Sequence, residues 1–166
     1  VDELKNYQNY VGLEHIPRKS ITLSSWGIPD SLESNKSIFI KNDILFGKLR
    51  SYFHKVVFAP TDGICSTDIL VIRPKKKEWF SFCLFWFFNK DVVEHSDLGS
   101  GGTRMPRTNW EIISNYKIPK PDEKRIIEFE TIAHSKIDRI AQNVIQIRTL
   151  EKLRDNLLPK LMSGEV

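Results

Sequence analysis

The chain has 166 residues, 40% hydrophobic and 28% charged, enough apolar content for a real core in one domain or one smaller domain with an appended element. Its net charge of +4 sits entirely in the body: residues 1–120 hold 17 Lys and Arg against 13 Asp and Glu, while residues 121–166 hold eight of each. No apolar run approaches the roughly 18–20 residues of a membrane span, and the amino end Val1-Asp-Glu-Leu-Lys5 shows no signal pattern. Cys65 and Cys83 lie in apolar company without metal-ligand spacing, as expected of reduced, buried thiols in a cytoplasmic protein. A basic body and a charge-balanced tail suggest two jobs, with polyanion binding in the body.

In chain order, the first three quarters read as short strands punctuated by turns. Ser37–Ile40 and Asp43–Phe46 flank Lys41-Asn42, Lys55–Ala59 runs into Pro60-Thr-Asp-Gly63, and Asp68–Arg73 stops at Pro74. Clusters of β-branched and aromatic residues bounded by Pro, Gly, Asn and Asp are strand signals. Lys77 to about His95 is too densely apolar for simple alternation and carries no Pro or Gly, which predicts a helix. Gly99-Ser-Gly-Gly102 is a loop, since glycines this dense favour the unfolded backbone. Pro106 and Ile118-Pro119-Lys120-Pro121 form a stiff exit.

From Asp122 the pattern becomes a single helix. Asp122 and Glu123 put acidic groups at the positive end of the helix dipole, and no Gly or Pro follows until Pro159. About 36 residues span roughly 54 Å, against a radius of gyration of about 14 Å for a domain of 120 residues. Apolar positions alternate three and four apart: Ile126, Phe129, Ala133, Ile137, Ile140, Val144, Ile147. The steps then shift to Leu150, Leu153, Leu157, with Leu158 and Leu161 beyond, so the stripe rotates and offers a second partner surface. A stripe this long is expected to project and meet another helix. The alternative is packing wholly on its own domain.

Asn42-Asp-Ile-Leu-Phe-Gly-Lys-Leu-Arg50 and Asp62-Gly-Ile-Cys-Ser-Thr-Asp-Ile-Leu-Val-Ile-Arg-Pro74 look like the body of a type I target recognition domain. Tyr10-Val-Gly-Leu-Glu14, Met105-Pro-Arg-Thr-Asn-Trp110 and Ile118-Pro-Lys-Pro121 stand around them in the family's order, and Leu153–Val166 resembles the end of its spacer. Each motif is soft, but in order they cover nearly the whole chain. The sequence thus resembles one half of the specificity subunit of a type I restriction–modification enzyme. The resemblance implies a non-catalytic subunit with two recognition domains, each reading half of a split DNA target, and two long antiparallel helices that seat methyltransferase subunits. This chain holds one domain and one helix, a half-subunit, and the strand usually preceding Tyr10 is expected to be missing. The implied fold is α+β: a mixed, mainly antiparallel recognition domain over 1–120 with short helices, then one coiled-coil-forming helix and tail over 121–166.

The implied partners are double-stranded DNA, the modification subunits and through them a restriction subunit, and a second specificity half or a second copy along the helix seam. That seam comprises Ile137, Ile140, Val144, Ile147, Leu150, Leu153, Leu157 and Leu161. Lys48, Arg50, Tyr52 and His54 alternate after Gly47, and in a strand they would share one face, suited to a phosphate backbone. A solvated strand face is the plain alternative. Ser100, Gly101, Gly102, Thr103, Arg104 and Arg107 combine backbone donors, hydroxyls and forked cations, although a mobile connector would look similar. Thr22, Ser24 and Ser25 resemble variable base-reading segments. A surface turn with Trp26 as core anchor is the other possibility, and Lys75-Lys-Lys77 reads as a solvated turn. No methyl-donor motif, Walker loop, paired His or Cys, or convincing nuclease pattern occurs, so no cofactor, metal or catalytic residue is assigned. The rival reading from another class is an assembly module in which the helix scaffolds partners and the basic body is incidental.

Overall fold

The computed structural model describes residues 7–29, 35–98, 105–119 and 121–164. Among these residues six strands lie in chain order: β1 (Tyr10–Val11), β2 (Lys36–Phe39), β3 (Ile44–Gly47), β4 (Val56–Phe58), β5 (Gly63–Ser66) and β6 (Ile69–Ile72). Four α-helices follow: α1 (Phe80–Phe87), α2 (Lys90–Leu98), α3 (Trp110–Ser114) and α4 (Glu123–Ser163). One sheet is antiparallel with order β4-β3-β6; the other has order β1-β5-β2, with β1 parallel and β2 antiparallel to β5. This is the expected α+β class, mainly antiparallel.

The β4-β3-β6 sheet is apolar on both faces, and the strand period of two sorts its residues. Ile44, Phe46, Val56, Phe58 and Ile72 face a core shared with Phe80, Leu84 and Phe87 of α1 and Val92 and Val93 of α2. Leu45, Val57 and Ile69 point the other way, into a core with Val11, Phe39 and Cys65 of the smaller sheet. The sheet is thus the middle layer between helices and a second sheet. Where β3 begins, buried Asp43 accepts from the Ile40 backbone at 2.8 Å and takes both forks of Arg73 at 2.6 Å each, which pins the Lys41-Asn42 turn.

Three local expectations change. Gly63, expected to end the Pro60–Gly63 turn, opens a strand, Gly63–Ser66; Gly63 is required there because a Cβ would come within 2.6 Å of the Asn9 carbonyl oxygen and 2.7 Å of Phe39. The predicted helix from Lys77 is a short 3-10 turn (Lys77–Trp79) followed by two helices, because Asn89 restarts the chain by accepting from the Asp91 backbone at 2.8 Å. The long helix does not stop before Pro159. It runs 41 residues, about 61 Å at 1.5 Å per residue, capped by Asp122 at its start and Gly164 (φ +76°) at its end. Pro159 forfeits only the bond to the Asp155 carbonyl, which water can satisfy because this stretch is exposed.

Candidate nucleic-acid interface

The turn after β3 gathers the basic residues. The Lys48 backbone donates to Asp68 at 2.8 Å, and its carbonyl accepts from Thr108 at 3.0 Å. Leu49 pairs antiparallel with Arg107, and the Arg50 N–H reaches the Pro106 carbonyl at 2.9 Å. Residues 48–50 and 106–108 are therefore zipped side by side, which brings Lys48, Arg50 and Arg107 to one edge. Arg107 Nε also donates to Asp68 at 3.0 Å, so its fork is oriented and partly neutralised. Among the described residues, Lys48 and Arg50 form no ion pair.

Lys48, Arg50, Tyr52 and His54 do not alternate along a strand. β3 ends at Gly47, Arg50 and His54 both take φ +52°, and Ser51–Phe53 between them is a 3-10 turn. His54 is buried, with Nε2 2.8 Å from the Phe88 carbonyl and its ring 4.7 Å from that of Phe88, so it serves the core. Tyr52 is half-exposed and rests against Phe53 at 4.6 Å between ring centroids. Phe53 in turn carries the guanidinium of Arg18 3.7 Å over its ring.

Arg18 and Lys19 are the residues the sequence reading missed. Lys19 donates its backbone N–H to the His54 carbonyl at 2.9 Å, so both cations come to the same edge from more than 30 positions away. No local pattern signals such a pairing. A groove of about 600 Å³ opens beside them, lined by Lys19, Tyr52, Phe88, Lys90 and Asp97 among others. Nearby, Lys55 Nζ donates to the Leu13 carbonyl; burial, then the charge of Arg18, lowers its pKa below the usual lysine range.

Thr22, Ser24 and Ser25 lie elsewhere. Residues 19–23 run parallel to β4, with Leu23 N–H on the Phe58 carbonyl at 3.2 Å. Phe58 pairs with Ile44, at the opposite end of β3 from Gly47, so roughly 10 Å of strand separates this loop from the basic edge. Ser24 and Ser25 are exposed, while Trp26 packs against the second core, as its anchoring alternative required. Ser100, Gly101, Gly102, Thr103 and Arg104 fall outside the described residues.

The helix seam divides in two. Ile137 and Val144 are 2% and 8% exposed, and Ile140 packs against the same core, so these three are used at home rather than offered to a partner. Ile137 and Ala141 stand in one buried cluster with Phe80 and Leu84 of α1 and Ile44 and Ile72 of the sheet, and nearer the foot of α4 Phe85 meets Phe129 at 5.7 Å. Ile147, Leu150, Leu153, Leu157 and Leu161 are 41–63% exposed. Beyond the domain α4 is an arm with an exposed leucine stripe.

The chain is thus a layered α+β domain with cations at one loop edge and a projecting helical arm. The model of the type I restriction modification DNA specificity domain matches residues 2–153, and the chain belongs to that family. It is 26% identical over 134 residues to the type I restriction enzyme EcoDI specificity subunit of Escherichia coli, covering 81% of this chain and 28% of that protein. It is 33% identical over 91 residues to the MjaIX specificity subunit of Methanocaldococcus jannaschii, covering 55% of this chain and 20% of the relative. The fold is shared with the HsdS subunit from Thermoanaerobacter tengcongensis (TM-score 0.62, 19% identity, 99% of this chain, 44% of that one). A chain in a solved type I R-M system superposes similarly (TM-score 0.63, 20% identity, 99% of this chain, 43% of that one). The chain thus spans less than half the length of the relatives it matches.

Proposed function

We propose that this chain is a non-catalytic DNA-recognition half of a type I specificity subunit, which directs methyltransferase and restriction subunits to a split target. The family match across residues 2–153 carries the reading. The edge formed by Lys48, Arg50 and Arg107, with Arg18 and Lys19 beside it, supplies phosphate contacts that fix position. Ser24 and Ser25, exposed on a separate loop, are suited to reading base edges in the major groove. The leucine stripe of the arm would pair with a second specificity half, or a second copy, and seat the modification subunit.

Duplex binding measured across a salt series tests this. Each of Arg50→Ala and Lys48→Ala is expected to weaken binding to all sequences and flatten the log–log salt slope by about one. Binding without salt dependence, or no binding at low salt, would instead favour the assembly-module reading, which the exposed stripe from Ile147 to Leu161 also suits.

A further inference from the structure

The arm leaves the domain at a single side chain. From Ile145 to Gly164 every described residue of α4 and its cap is exposed except Arg148, which is half-buried. Its guanidinium carbon lies 3.8 Å over the Trp26 ring, and Nη2 donates to the Trp26 carbonyl at 3.3 Å, joining residues 122 positions apart. The run containing Trp26 is tied by backbone at both ends: Leu23 to Phe58 at 3.2 Å, and Gly27 to Tyr10 through two bonds of 2.9 Å. Between those ties Ser24 and Ser25 are exposed, and Ser25 Oγ makes a long 3.4 Å bond to the His15 carbonyl. The planar cation on the indole ties this stretch to the helix.

We propose that Arg148 is a positioning residue for sequence selection, holding the Ser24–Trp26 loop at one setting relative to the arm. The inference rests on the reading above that this loop faces base edges. Discrimination between bases requires side chains held to a fraction of an ångström, and a loop with several settings accepts several bases. Lysine keeps the charge but not the flat, stacking fork, so it cannot replace arginine here.

Selection of preferred duplexes from a randomised library, read by sequencing at two salt concentrations, tests this on the full chain. Arg148→Ala and Arg148→Lys should both reduce discrimination between the preferred duplex and its single-base variants, by about three- to tenfold, the population shift expected from losing a stacked cation. Both should leave the salt slope unchanged. With 5-fluorotryptophan incorporated, the Trp26 fluorine resonance should shift or broaden in both variants while the other three tryptophans keep theirs, which separates loop release from unfolding. Unchanged discrimination in both variants overturns the inference alone. So does a flattened salt slope in Arg148→Ala that Arg148→Lys restores, since Arg148 would then be a phosphate contact. A wild-type chain that selects no sequence overturns the DNA reading and this inference with it.

Discussion

Lys19, Arg50 and His54 each hold φ +52°, and they meet at one edge of the domain. Left-handed backbone costs an L-residue about 1–2 kcal/mol, and strain of this kind gathers where a surface is shaped for a ligand. Lys19 has no side-chain partner among the described residues, so Lys19→Gly separates the two roles. It should leave stability unchanged or raise it by under about 1 kcal/mol, because relief of strain outweighs glycine's extra freedom when unfolded. The same change should weaken DNA binding, so urea melts and binding isotherms would move in opposite directions. Cys65 offers a second test. Burial, reinforced by the Asp43 carboxylate, pushes its thiol from 9.0 up to about 12. The folded chain keeps a proton that the unfolded chain releases, so this contribution is intact below pH 9 and lost as pH rises towards 12. Denaturation midpoints at pH 8 and pH 10.5 should fall less in Cys65→Ala than in the unmodified protein.

Among the elements, α4 carries the sharpest contrast. The three-and-four spacing is continuous from Ile126 to Ile147, yet residues up to Val144 pack on the domain and those after it do not. Periodicity reports that a face is apolar, not what covers it. Polar changes within the first half should therefore unfold the chain rather than dissociate it. Ile137→Ala should cost about 2–4 kcal/mol in a urea melt, the usual range for a truncated core isoleucine. Leu153→Asp with Leu157→Asp should leave the melting temperature within about 2 °C of the unmodified protein, as expected for exposed positions. Sedimentation velocity should then show that this pair of changes abolishes a self-association present in the unmodified chain. Dimers surviving both changes would move the partner surface off the stripe.

At the scale of the molecule, the two halves of the chain are mechanically joined. The foot of α4 is held by Lys76 on Glu123, its middle by Glu130 accepting from the Ser81 backbone at 2.7 Å and by Lys41 near Asp138 at 3.7 Å, and its exit by Arg148 on Trp26. A domain so anchored would transmit the arm's orientation to whatever the domain contacts. On the proposed division of labour, the purified chain should transfer no methyl group and cut no DNA, with or without S-adenosylmethionine and magnesium. Adding cognate modification subunits should give site-specific methylation, and Leu157→Asp with Leu161→Asp should remove it while DNA binding persists. Methyl transfer by the chain alone, retained after rigorous purification, would overturn the assignment.

The sequence by itself determined the class of fold, the family resemblance and the existence of the long helix. Those depend on local signals: strand-forming clusters between turn residues, ordered motifs, and an acidic cap followed by an unbroken apolar period. Tertiary structure alone decided which candidate cations share an edge and which apolar residues are free. Arg18 and Lys19 reach the turn at Phe53 and His54 because residues 19–23 run beside β4, and Arg107 comes beside Arg50 through the pairing of residues 48–50 with 106–108. The alternating face of Lys48, Arg50, Tyr52 and His54 dissolved because β3 stops at Gly47 and left-handed residues at Arg50 and His54 turn the chain, and no residue-type preference announces such a turn in arginine. Ile137 and Ile147 look alike in sequence, yet one joins the buried cluster of sheet and helices and the other lies beyond it. Burial depends on what a distant segment brings alongside, which local spacing does not encode.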